Sequence, residues 1–228
     1  DARVLHEDGG TIRRSMALNT GQCLPLSAIV QGCIDTIERE SLDPGKSVLW
    51  MARGRLACNL PLFPYHMKCL LESHGNGMEK AEVYVGDMIH LEISPLVTIR
   101  TYFAYHFGGL LRKIGCQIRP YEKVPGQTDR AIAEGLEILT EAFLGKRPQR
   151  KAIEEAARLL GSIPIRKHPR SKVAIFGDIY VRDNPAMNQD LIGTIERAGG
   201  EVITTPYSDY LKIISSAYFG KWTQEGSY

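Results

Sequence analysis

The chain reads as α/β, with two parallel-sheet, Rossmann-like lobes joined by a helical section. Three observations predict this. Short β-branched apolar runs recur at 47–51, 82–85, 172–176 and 202–205, each stopped by turn residues. Helical periodicity separates successive runs, and parallel strands need such crossovers. Between 95 and 160 the periodicity is helical throughout, with no strand signal. The expected organisation is a first α/β lobe over 1–94, a helical connector and linker over 95–170, and a second lobe beginning at 171.

Residues 1–19 carry few signals beyond the Asp8-Gly9-Gly10 turn. A tight turn at Gly21-Gln22-Cys23-Leu24-Pro25 then leads into a helix whose Leu26, Ile29, Val30, Cys33 and Ile37 share one face, so Cys33 reads as core. Asp43-Pro44-Gly45 closes that segment. After the strand at 47–51 comes a loop carrying Arg53-Gly54-Arg55 and Cys58. A helix follows from Pro61 through Tyr65 and Leu70 to Gly75, with Cys69 inside it and expected to pack. Gly86-Asp87 stops the strand at 82–85.

From Pro95 a long stripe is expected, formed by Leu96, Ile99, Phe103, Phe107, Leu110 and Ile114, with Gly108-Gly109 as a kink. Thr128 is expected to cap a second helix, with Ile132, Leu136, Leu139 and Phe143 facing inward. A third helix runs from about Pro148 to Leu160. Residues 161–171, with two prolines and a basic run, read as a linker. After Pro206 the chain is rich in aromatics, a surface suited to packing on something further.

Residues 172–206 carry the strongest local signals. The strand at 172–176 ends at Gly177-Asp178. Asn184 is a good N-cap with Pro185 at the first helical position. Met187, Leu191, Ile192 and Ile195 fall on one helical face, and Gly199-Gly200 ends the helix before the strand at 202–205. The two strands should be parallel with a right-handed crossover. Ligands of open α/β sheets bind beyond the carboxyl ends of the strands. Tyr180, Arg182 and Asn184 lie there, in a set suited to an anionic or phosphate-bearing ligand. On spacing alone, a solvated loop with Asn184 as a plain cap is the simpler reading. Neither a GxGxxG nor a GxxxxGK[ST] motif occurs.

The composition, 43% hydrophobic and 24% charged with net charge +2, is that of an ordinary soluble protein. It argues against nucleic acid as a partner, and no apolar run is long enough to span a bilayer. A cytoplasmic location is expected, and oligomerisation is left open. Five scattered cysteines without a CxxC pair argue against a disulfide framework. Cys23 and Cys58 both lie in turns that lead into helices. A helix N-terminus stabilises thiolate, although isolated cysteines are commonly structural.

Gln22-Cys23-Leu24-Pro25, the Cys58 loop ending at Tyr65, YEKVPGQTDR at 121–130 and GDIYVRDNPAMNQDLI at 177–192 occur in one order. In that order they resemble the 2-hydroxyacyl-CoA dehydratase component family, in particular its activase-related branch. The resemblance runs from about Gly21 to Tyr218. It implies two α/β lobes, a [4Fe–4S] cluster held by cysteines spread along the chain, and an ATP-hydrolysing activase that supplies low-potential electrons for acyl-CoA reduction or dehydration. Cys23 matches the cysteine of an ECLP-like motif, with Gln22 in place of the acid. Cys58 matches a later cysteine, with Leu56-Ala57 in place of Gly-Pro. The family's first ligand cysteine would lie upstream of Asp1, as expected of a fragment that is inactive alone. Two other readings are a non-catalytic ligand-binding or regulatory module and a zinc-binding structural domain.

Overall fold

The computed structural model describes residues 2–18, 21, 23–53, 59–87 and 92–226. It is mostly helical with two small parallel sheets of two strands each, an α/β composition. The chain divides into two compact units, residues 1–98 and 99–228.

In the first unit, α1 (Gly9–Ser15) is capped by Asp8, whose carboxylate accepts from the Thr11 N–H at 2.7 Å. The helix docks on α2 (Leu24–Arg39) through Asp35, which accepts from Thr11 Oγ1, Gln31 Nε2 and the Arg14 guanidinium. The expected face of α2 forms: Leu26, Val30, Cys33 and Ile37 are buried and Ile29 packs beside them.

Strands β1 (Val48–Arg53) and β2 (Glu82–Asp87) pair in parallel, with Val48 opposite Glu82 and Trp50 opposite Tyr84. Between them runs α3 (Phe63–His74), whose Phe63, Met67, Leu70 and Leu71 join the α2 core. Lys68 donates to the carbonyls of Glu79 and Ala81 at 2.9 and 2.8 Å, tying α3 to the start of β2. Gly86 has no Cβ because the Trp50 indole occupies that space. Cys69 is exposed rather than packed. The buried stripe of α3 follows Met67, Leu70 and Leu71, and position 69 lies off it.

In the second unit, α4 (Pro95–Ile118), which begins just before the boundary, is the central element. Leu111 packs with α5 (Gln127–Phe143) and α6 (Gln149–Gly161) in a core of Ala131, Leu139, Ala156, Leu160 and Ile163. Cys116, further along α4, joins a separate core with Ile175 and Val202. Only part of the expected α4 stripe is covered. Phe107 and Ile114 pack, whereas Leu96, Ile99, Phe103 and Leu110 are exposed, because the buried positions are Leu111, Gly115 and Cys116. Gly109 is where Ser208 of α10 (Tyr207–Glu225) approaches the α4 backbone.

Thr128 does not cap α5. Gly126 occupies the N-cap position with φ 79°, and Thr128 is buried inside the first turn. The cap comes from Glu122, whose carboxylate accepts from the N–H groups of Gly126 and Thr128 at 2.6 and 2.7 Å.

The second sheet pairs β3 (Lys172–Ala174) with β4 (Glu201–Ile203) in parallel, as expected, although both strands are shorter than the apolar runs. The single helix expected between them is three: α7 (Ile179–Asp183), α8 (Pro185–Asn188) and α9 (Leu191–Arg197). Gln189 and Asp190 break the helix with φ of 57° and 54°. Asn188 staples the pieces, donating to the carbonyls of Val181 and Arg182 and accepting from the Leu191 N–H. Among the described residues no helix is long and apolar enough to cross a membrane.

Candidate functional site

Cys23 is the N-cap of α2, with extended backbone (φ −61°, ψ 130°), Pro25 in the first turn and a partly exposed side chain at the edge of the first core. Its side chain makes no capping hydrogen bond to the first turn of the helix, at a position where helix N-termini in general favour thiolate. Cys33, ten residues further on, is sealed in the core, where burial pushes its thiol up to about 11. Cys116 is likewise buried and shifted upward, burial being the main cause. The two buried cysteines are therefore packing residues. Cys58, Gln22 and the Leu56-Ala57 pair lie outside the described residues. Among the described residues, no three His, Cys, Asp or Glu side chains converge as a metal site would need.

The loop residues Tyr180, Arg182 and Asn184 fall on α7 and its junction with α8. Asn184 caps α8 as expected, its Oδ1 accepting from the N–H groups of Ala186 and Met187 at 3.0 and 3.2 Å. Arg182 is folded inward with 9% of its side chain exposed, and it donates to the Thr205 carbonyl just beyond β4 at 2.7 Å. Tyr180 is half-buried. Asp178 caps α7 by accepting from the Val181 N–H. These side chains organise the broken crossover, and Arg182 bridges it to the end of the neighbouring strand.

A cavity of about 700 Å³ lies next to this crossover, within the second unit. The C-terminal part of α4 contributes Arg112, Cys116 and Arg119, and the α5 cap contributes Glu122 and Asp129. Arg170 comes from the segment before β3, and the broken crossover supplies Asn188, Asp190, Glu196 and Arg197. Arg119 is the hub. It donates from Nη1 to both oxygens of Glu196 at 2.8 and 3.1 Å and from Nε to Asp129 at 2.8 Å. Burial works against the Arg119 charge, but Glu196 and Asp129 outweigh it and hold the guanidinium above its ordinary value. Burial pushes the Glu196 carboxyl up against the pull of Arg119. For Glu122, burial is opposed by the hydrogen bonds from Thr128 and Gly126, which hold the carboxyl below its usual range.

Sequence reasoning missed this cavity. Its residues come from three segments up to 85 positions apart, and the one local signal was a basic run at 166–172 read as linker. No family model, no curated protein and no solved structure matches this chain.

Proposed function

We propose that the chain is an iron–sulfur lobe of a 2-hydroxyacyl-CoA dehydratase- or reductase-like system, with Cys23 and Cys58 as ligands of a [4Fe–4S] cluster. The observation that carries it is the contrast among the cysteines: Cys23 stands partly exposed at a helix N-terminus, whereas Cys33 and Cys116 are buried. A thiolate ligand needs the first environment and is disfavoured by the second. Cys23 thus fits the donor expected of it, within the motif that carries the resemblance.

In this reading the two β-α-β segments are reduced forms of Rossmann-like lobes, and the protein is cytoplasmic. A bound cluster would supply low-potential electron transfer, fed by an ATP-hydrolysing activase and directed at an acyl-CoA. The chain's own contribution is to present Cys23 at the entry of α2, whose buried face fixes the helix in place. Completing the cluster requires donors beyond Cys23 and Cys58, from upstream sequence, a partner, solvent or substrate.

The second reading, a ligand-binding module without a cluster, is favoured by the arginine-lined cavity. Iron and acid-labile sulfide analysis after anaerobic purification separates the two. Stoichiometric iron with matching sulfide supports the first, and their absence together with retained fold supports the second. Zinc in their place would point to a structural metal site.

A further inference from the structure

The cavity around Arg119 contains four arginines and four carboxylates, but these do not cancel uniformly. Arg119 is committed to Glu196 and Asp129, and Arg197 is paired with Asp190 at 2.9 Å. The Glu122 oxygens are taken by two backbone N–H groups. Arg112 and Arg170 remain. Arg112 forms an ion pair with Asp183, Nη2 to Oδ1 at 3.6 Å, which leaves its Nε without an acceptor among the described residues. Arg170 has no carboxylate within 4 Å among the described residues and lies 5.6 Å from the centre of the Tyr121 ring. In both residues Nε is buried and meets no acceptor among the described residues.

A buried guanidinium N–H without an acceptor loses its hydration and gains nothing in exchange, so such groups call for a partner. At Arg170, which has no carboxylate within 4 Å among the described residues, water can accept the hydrogen bond but leaves the charge unbalanced, whereas an oxyanion answers both needs. Two planar forks on one cavity suit a phosphate group, whose oxygens accept bidentate pairs. Pro120, Pro125, Pro185 and Ile192 provide apolar wall, and the volume lies in the range of small-molecule sites. A second cavity of about 680 Å³ shares Pro120, Glu122 and Arg170 with the first and is otherwise lined by Tyr121, Lys123, Ile165, Arg166 and His168. Arg170 therefore stands between two spaces, and the cationic lining continues past it.

We propose that this paired cavity binds a phosphate-bearing small molecule, its phosphate held by Arg112 and Arg170. Arg119, Glu196 and Asp129 form the rigid wall behind it. The site lies in the second unit and does not depend on a cluster at Cys23, so either proposal can fail alone.

Isothermal titration of the full chain with inorganic pyrophosphate at about 150 mM salt tests it, since that ionic strength screens diffuse surface attraction. The expected result is one pyrophosphate per chain. Arg112→Met and Arg170→Met should each weaken binding about tenfold or more, the loss expected of a charge-assisted hydrogen bond. Lys151→Met on α6 makes the same charge change away from the cavity and should stay within about twofold. Arg112→Lys and Arg170→Lys keep the charge but lose the fork, and should fall between. They also decide the matter if a methionine variant fails to fold. Absence of pyrophosphate binding below about 1 mM, Lys variants that bind as the wild type does, or a Lys151→Met loss equal to the arginine losses would overturn the proposal.

Discussion

Replacing Arg119 with methionine removes the only cation within 4 Å of Glu196 among the described residues, and that carboxylate is 9% exposed. Breaking a buried pair from one side costs about 3–5 kcal/mol, because the remaining charge stays desolvated. Arg119 itself is 26% exposed, so water can reach the vacated space, and about 3 kcal/mol is the appropriate end of that range. Amide hydrogen exchange reads the effect locally in the C-terminal half of α4 and in α9. Their protection factors should fall about a hundredfold at pH 8, since each 1.4 kcal/mol is a factor of ten. The pH dependence follows from the direction of the Glu196 shift. Burial already pushes this carboxyl up, and losing Arg119 pushes it further. The folded state then binds more protons than the unfolded state between the two pKa values, so stability falls as pH rises through that window. Acidification of the variant should therefore restore protection, and adding Glu196→Gln should restore most of it at pH 8. A variant that keeps near-wild-type protection at pH 8, or one that loses more as pH falls, would refute the reasoning.

Other positions give equally specific outcomes. Gly109→Ala gains helix propensity but places a methyl group against Ser208, and the net effect should be a destabilisation of about 1–3 kcal/mol by thermal melting, relieved by Ser208→Gly. Asp35→Asn should loosen α1 from α2 by about 1–2 kcal/mol, seen as faster exchange in α1. Burial pushes the Asp35 carboxyl up, but Arg14, Gln31 and Thr11 outweigh it and lower its pKa. The stability it lends is therefore present above its unfolded pKa and lost as pH falls through the lower folded one. Iodoacetamide at pH 8 should label Cys69 quickly, while Cys33 and Cys116 should react only after unfolding. Mass spectrometry of the labelled peptides reads all three, and rapid native labelling of Cys33 would contradict the packing described for α2.

The sequence was most legible where one physical signal acts alone. The apolar spacing of Leu26, Val30, Cys33 and Ile37 needed only a core to face, and Asn184 before Pro185 needed only a helix to cap. Parallel pairing of both strand pairs followed from the helical segments between them. Legibility failed where neighbouring residues compete for one role or where distant residues decide the outcome. Asp190 reads as one more polar position on a helix, yet it holds a positive φ and caps α9. Thr128 looks like a cap because its hydroxyl type suits the position, while the competing carboxylate of Glu122, four residues before Gly126, takes the N–H groups instead. The α4 stripe was extrapolated evenly, but α5 and α6 cover only its later part. Most of the cavity depends on Arg119 meeting Glu196, 77 residues away, which no local pattern encodes.

The iron–sulfur reading places its weight on one helix cap, and the cysteine variants test that cap directly. After anaerobic reconstitution with iron, sulfide and an excess of small-molecule thiol to supply the remaining donors, the full chain should develop the broad visible absorbance of a thiolate-bound cluster, in fixed stoichiometry to protein. Cys23→Ala should abolish that absorbance while leaving the α2 helix intact, because the Cys23 side chain only borders the core. Cys33→Ala, which opens a small cavity in that core, should keep it at a cost of about 1–2 kcal/mol in stability. Absorbance that survives Cys23→Ala unchanged, or that never forms in the wild-type chain, would contradict the proposed role of Cys23.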